Sequence, residues 1–237
     1  MTRPRSDQLL AQPVWETVRR LESRIAARFP ERGLLRVAGE LAELVGDVQQ
    51  DAAFIRGRLR TARLLSRVLL ALLVVGTAVV LVVATRDAVT DSGRDNSLDW
   101  VPLIESAIND LVFAGLAIYF LFNFPERLER GHLLDLLHRL RSLAHVIDMH
   151  QLTKDPERLR DSYRASPASI DVRLDRQQME SYLDYCSELL SLTGKAAALC
   201  AEKSRDSVVL TTVSTLETLT NDMSRKIWQK IQLLPPE

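Results

Sequence analysis

Apolar residues recur at alternating steps of three and four along most of this chain, which is the period of amphipathic helices. Leu10, Val14, Val18, Leu21 and Ile25 predict a first helix, and Pro30 and Gly33 predict the turn that follows it. A heptad seam then leads into a longer apolar segment through Leu41, Val45, Val48, Ala52, Ile55, Leu59 and Ala62. Since no segment alternates with the period of two that strands show, the pattern predicts an all-α fold.

The most apolar part of the sequence lies between residues 64 and 124. Residues 68–84 read VLLALLVVGTAVVLVVA without a charge, and residues 101–124 form a second long apolar segment. A helix rises about 1.5 Å per residue, so segments of this length approach or exceed a hydrocarbon core of about 30 Å. The pattern predicts a two-helix transmembrane hairpin at 63–124, with spans at about 64–85 and 101–124 and an external loop at 86–100.

Arginines flank the predicted hairpin on both sides, whereas the predicted loop is rich in aspartate. By the positive-inside rule, both termini are expected in the cytoplasm of a multi-pass inner (plasma) membrane protein. Over the whole chain, Lys and Arg (31) balance Asp and Glu (31), so no net positive field favours nucleic acid as a partner. The expected partners are the lipid bilayer, further copies of the chain and a cytoplasmic protein.

The remaining segments are predicted as cytoplasmic helices around the hairpin. Residues 1–62 hold the N-terminal helices, 125–152 a juxtamembrane helix, and 153–175 a short helix and linker. Residues 176–237 form a helical hairpin or a coiled coil, because two further apolar seams occur there: Met179, Tyr182, Cys186, Leu189, Thr193, Ala196 and Cys200, then Val209, Val213, Leu216, Thr220, Met223 and Ile227. The predicted fold class is an all-α membrane protein with a helical, coiled-coil-like cytoplasmic assembly.

Catalytic motifs are missing from the sequence. It contains no glycine-rich phosphate loop, nucleophile elbow, HExxH or CxxC, so we predict neither an enzyme nor a bound cofactor. Cys186 and Cys200 lie four helical turns apart, too far to bridge within one straight helix. They are interpreted as buried small apolar residues in a reducing compartment.

Acidic and polar residues interrupt the second apolar segment. Glu105 with Asn109, and Ser106 with Asp110, are each four residues apart and form one polar patch at its external end. Self-association would gather copies of this patch at the mouth of a cation-selective pore. The alternative is an interfacial patch that headgroup water solvates and that conducts nothing.

All four histidines lie between His132 and His150. His138, Arg141, His145 and Asp148 share one face of a helix, next to a leucine-rich face. No i, i+4 histidine pair occurs, so one helix cannot supply a zinc site, and no metal is predicted. The seam is either a polar contact between helices, or a pH-sensing or anion-binding element that couples the hairpin to the cytoplasmic helices.

Two functions follow from these patterns. The first is a homo-oligomeric inner-membrane protein that conducts cations through a pore gated by its cytoplasmic helices. The second is a non-conducting, membrane-anchored scaffold or signal transducer that binds a cytoplasmic partner through its C-terminal helices.

Overall fold

The computed structural model describes residues 9–90, 100–160, 162–167 and 173–235, and the side chains of these except for 49–63 and part of 80–126. Every regular element within these ranges is a helix. The elements are α1 (Ala11–Arg28), α2 (Gly33–Thr90), α3 (Trp100–Leu152), a short 3₁₀ helix (Pro156–Leu159), α4 (Arg176–Ala201) and α5 (Ser207–Gln232). The described part of the chain is therefore all-helical.

The chain divides into two compact units. One, the bundle unit, combines Met1–Ala53 with Arg130–Glu237, and the other, the middle unit, is Phe54–Glu129. The bundle unit thus brings together sequence segments from both sides of the middle unit.

One apolar core holds the bundle unit together, and the periodic positions of the sequence supply it. On α1 the buried residues are Val14, Val18, Leu21 and Ile25, and on α5 they are Val209, Val213, Leu216, Thr220, Met223 and Ile227. The N-terminal part of α2, the C-terminal part of α3 and most of α4 contribute the rest. Burying apolar side chains of this kind contributes roughly 1.5–3 kcal/mol each, which makes the core the main source of the unit's stability.

Polar side chains fix where the last two helices begin. Asp175 caps α4 in a reciprocal capping box with Gln178, and Asp206 accepts hydrogen bonds from the amides of Val208 and Val209 at the start of α5. Residues 202–206 separate the two helices, which pack side by side as a helical hairpin with a 2.6 Å hydroxyl contact between Ser187 and Ser224.

The prediction of a membrane protein is wrong. Within the ranges that the structure describes, no helix combines the length and the apolar character needed to cross a membrane. The uncharged run 68–84 would rise only about 25 Å, against a hydrocarbon core of about 30 Å, and residues 101–124 carry Glu105 and Asp110.

The same finding overturns the assignments that depended on spans at 64–85 and 101–124. These are the transmembrane hairpin, the ion-channel and transport classes and the multi-pass inner-membrane localisation. Most of the predicted external loop, at 91–99, and the linker residues 168–172 lie outside the described residues.

Candidate functional site

The polar patch predicted on the second apolar segment lies on α3 in the middle unit. Glu105 and Asn109 are exposed there, whereas the side chains of Ser106 and Asp110 lie outside those that the structure describes. The grouping of these four residues stays a prediction.

The predicted histidine seam also lies on α3, in the bundle unit. His138, Arg141 and His145 are exposed, and Asp148 is half-buried. Among the described side chains, no hydrogen bond or ion pair joins these four residues to one another. Asp148 instead accepts a hydrogen bond from the side-chain amide of Gln151, with 2.8 Å between Nε2 and Oδ1. The structure thus separates the seam residues and directs Asp148 toward the last turn of α3.

Arg141 lines a shallow groove of about 130 Å³ between α3 and α5. Thr211, Thr212 and Thr215 form its polar wall and Leu137 part of its floor. Over the described ranges, no group of three or more histidine, cysteine or carboxylate side chains is placed to hold a metal ion.

A cluster of polar contacts lies at the end of α3. The sequence did not predict this cluster. We call His150, Gln151, Lys154, Tyr182 and Lys230 the polar corner. Here the last turn of α3 and the turn after it meet the start of α2, the N-terminal third of α4 and the end of α5. The site is therefore assembled from four separate stretches of the sequence.

His150 connects α3 to two other helices within the polar corner. Its Nδ1 lies 3.3 Å from the hydroxyl oxygen of Tyr182 on α4. On the other side of the ring is Gly33, the first residue of α2, where an added Cβ would lie only 2.7 Å from His150 Cε1. Glycine at position 33 therefore allows the backbone of α2 to approach the imidazole closely.

Lys154 and Gln151 are the buried polar residues of the polar corner, with 7% and 2% of their surface exposed. The Lys154 ammonium donates to the Thr153 hydroxyl at 2.7 Å and lies 5.0 Å from the centre of the Tyr182 ring, a cation–π distance. The Gln151 carbonyl oxygen accepts hydrogen bonds from the Lys154 amide at 3.0 Å and from the Lys230 ammonium at 3.1 Å. Its side-chain oxygen has no hydrogen-bond partner among the described residues.

Burial and neighbouring cations set the charge states in the polar corner. Burial lowers the pKa of Lys154, and the charges of Arg32, Arg158 and Lys230 lower it further. Burial also lowers the pKa of His150, and Lys154 and Arg36 add to that effect. Both shifts disfavour the cationic form, so the imidazole of His150 is neutral near pH 7.

The two cysteines lie in the core of the bundle unit as free thiols. Burial raises the pKa of Cys186 to about 12 and that of Cys200 to about 11. Because the thiolate is the reactive form, both side chains are poor nucleophiles at neutral pH.

A pH dependence of stability follows from His150. Its unfolded-state pKa is near 6.5 and its folded-state pKa is lower, so below pH 7 the unfolded chain binds a proton that the folded chain resists. We expect the urea midpoint to fall as the pH drops from 7.5 through 6.5 to 5, and His150→Gln to reduce this fall. His145→Gln, an exposed control on the same helix, should leave it unchanged. Equal pH profiles for the wild-type chain and His150→Gln would contradict the assignment.

The middle unit presents a different kind of surface. Between residues 64 and 83 on α2, and between 108 and 128 on α3, the large apolar side chains that are exposed have 42% to 66% of their area in contact with solvent. Leu72 is 64% exposed and Phe113 66%. We call these side chains together the apolar surface.

The comparisons with known proteins found no similarity: no family model, no curated protein and no solved structure matches this chain. The polar corner and the apolar surface are therefore interpreted from their own chemistry.

Proposed function

We propose that this chain is a self-associating helical scaffold protein, whose copies pair through the apolar surface of the middle unit. The proposal is based on one observation, which is that the large apolar side chains at 64–83 and 108–128 are exposed. The proposal keeps the self-association expected from the sequence, but it places the interface in the middle unit and not in the C-terminal helices. It leaves aside the pore, which depended on membrane spans.

The size of the apolar surface favours an interface. Monomeric proteins rarely expose contiguous apolar patches above a few hundred Å². Among the described residues, eighteen large apolar side chains of the middle unit are exposed. A stable protein interface uses about 20–30 residues from each partner, so these side chains supply most of the number that one needs. Burial would stabilise the assembly by roughly 25 cal/mol for each Å² removed from water, before the cost of association.

The spacing of the apolar residues favours a second copy of the same chain as the partner. Leu65, Leu69, Leu72, Val79 and Val83, with Gly76 between them, follow alternating steps of four and three along α2. This is the heptad pattern with which two like helices pack knobs into holes. A two-fold interface buries the same surface on both partners, so one sequence supplies both sides.

The proposal predicts a covalent dimer when a cysteine is placed on the apolar surface. Cys186 and Cys200 are completely buried, so the wild-type chain should form few disulfide-linked dimers under the same oxidation. We expect mild oxidation of Leu72→Cys to produce a disulfide-linked dimer on a non-reducing gel. Arg20→Cys, on the exposed side of α1, is the matched control and should stay monomeric on the gel.

A charge on the same surface should weaken the assembly. Leu72→Asp is expected to raise the dimer dissociation constant on the order of 100-fold or more, because pairing would desolvate a carboxylate. Analytical ultracentrifugation over a range of concentrations measures this change. The proposal fails if Leu72→Cys does not cross-link and the wild-type chain sediments as a monomer. It also fails if a monomeric chain floats with phosphatidylcholine vesicles, since lipid would then cover the surface.

A further inference from the structure

The polar corner holds a buried cation that no carboxylate balances. Lys154 is 7% exposed, and its ammonium contacts the Thr153 hydroxyl and the face of the Tyr182 ring. Among the described residues, no aspartate or glutamate lies within 4 Å of it. The two nearby acids, Asp148 and Asp155, favour the charged form of Lys230, and they accept hydrogen bonds from the Gln151 side chain and from the backbone amide of Glu157.

Neighbouring cations add to the cost of charging Lys154. Arg32, Arg158 and Lys230 are close enough for each to disfavour the protonated ammonium. A buried charge is costly unless it is paired, and further cations nearby raise that cost. A partner that stabilises the Lys154 ammonium would therefore be negatively charged.

Gln151 provides a second, independent observation. Its side chain is 2% exposed, and its Oε1 accepts no hydrogen bond from the residues that the structure describes. An unsatisfied buried acceptor destabilises the fold, so a group that donates a hydrogen bond is expected beside it. Gln151 and Lys154 are held in one turn by the hydrogen bond from the Lys154 amide to the Gln151 carbonyl oxygen.

We propose that the polar corner is a binding site for a small oxyanion of the phosphate class, with Lys154 as its buried cation. An ammonium has three N–H donors, and the Thr153 hydroxyl takes one of them, which leaves donors for the oxygens of an anion. Monohydrogen phosphate has both such oxygens and a hydroxyl that can donate to Gln151 Oε1. Arg32, Arg158 and Lys230 are each half-buried, and the proposed anion would approach Lys154 from the side on which they lie.

Anion binding and protonation of Lys154 are linked. A bound phosphate favours the charged ammonium, and the charged ammonium binds phosphate more tightly. Phosphate should therefore stabilise the fold more strongly at pH 7 than at a pH where Lys154 has lost its proton.

The test is thermal unfolding of the full chain in sodium phosphate and in sodium chloride of equal ionic strength at pH 7. Phosphate at about 100 times its dissociation constant should raise the Tm on the order of 5 °C above the chloride value. Lys154→Met keeps most of the length of the side chain and removes its charge, and it should abolish this difference. Lys195→Met makes the same change at an exposed lysine of α4 and should preserve it.

Two outcomes would overturn the site: an undiminished phosphate shift in Lys154→Met, or a shift that chloride reproduces in the wild-type chain. If Lys154→Met does not fold, the same measurement is made on Arg32→Gln. The increase in Tm that phosphate causes must then be at most half of the wild-type increase. Glycerol 3-phosphate distinguishes the sources of the anion. A shift with inorganic phosphate alone supports the free ion, whereas a larger shift with the monoester supports a phosphate group on a larger molecule.

Discussion

Phe29→Ala is expected to lower the free energy of unfolding by about 3–5 kcal/mol. Phe29 ends α1 and is 4% exposed, and its ring packs edge-on against Tyr182 at 5.3 Å and Tyr185 at 6.1 Å between ring centres. Alanine would leave a cavity between α1 and α4 and remove both aromatic contacts. Urea denaturation followed by circular dichroism measures the change.

Trp228→Ala is the matched control for this prediction. It removes a larger aromatic ring from the same unit, but Trp228 is 52% exposed on α5 and little apolar area is lost from the core. We expect a loss below about 1 kcal/mol. Equal losses for the two variants would mean that Phe29 does not join α1 to α4 as described.

Gly194→Ala is expected to destabilise the chain by about 1–3 kcal/mol. A Cβ at this position would lie 2.9 Å from the hydroxyl oxygen of Thr220, so α4 and α5 would have to separate. Thr220 is 2% exposed and its hydroxyl donates to the carbonyl oxygen of Glu217 at 3.0 Å, which limits its movement. The thermal midpoint and the urea midpoint should both fall.

Two comparisons separate this clash from the general effect of replacing a helical glycine. Gly131→Ala on α3 adds a methyl group where no atom lies within 4 Å, and it should be neutral or stabilising by up to about 1 kcal/mol. Thr220→Ala removes the clashing oxygen, so the double variant with Gly194→Ala should lose less than the two single losses added together. Stabilisation by Gly194→Ala alone would show that the contact is not close.

Much of the helical structure of the bundle unit could be predicted from the sequence. The 3.6-residue period of apolar residues marks the buried face of a helix, and it can be recognised within a short segment. The predicted seam from Val209 to Ile227 coincides with the buried residues of α5, and the first seam coincides with those of α1 except for Leu10, which precedes the helix and is 45% exposed. The turn signal of Pro30 falls between α1 and α2, because the residues that end a helix also act locally.

Hydropathy alone was misleading in the middle unit. Uncharged leucine and valine runs look alike in a membrane span and in a surface that a partner covers. The prediction extended residues 68–84 with flanking residues and accepted two acids in residues 101–124. No helix among the described residues meets the requirement for a span.

The polar corner could not be predicted from the sequence because its members are distant along the chain. His150, Tyr182 and Lys230 belong to three helices, and a projection of residues 132–150 on one helix places His150 away from the predicted seam. In the sequence, Thr153 and Lys154 look like the ordinary end of a helix. Only the tertiary packing shows that this lysine is buried.

The division of the bundle unit between two sequence segments has a consequence for its synthesis. Arg24 on α1 forms its salt bridge with Glu188 on α4, 164 residues later in the chain. At about 5–20 residues per second, α1 would wait roughly 10–30 s on the ribosome before the segment it packs against has been made. Throughout that interval the part of its surface that packs against α4 is open to chaperones, so the nascent N-terminal helix is expected to depend on them more than the later, locally paired α4 and α5.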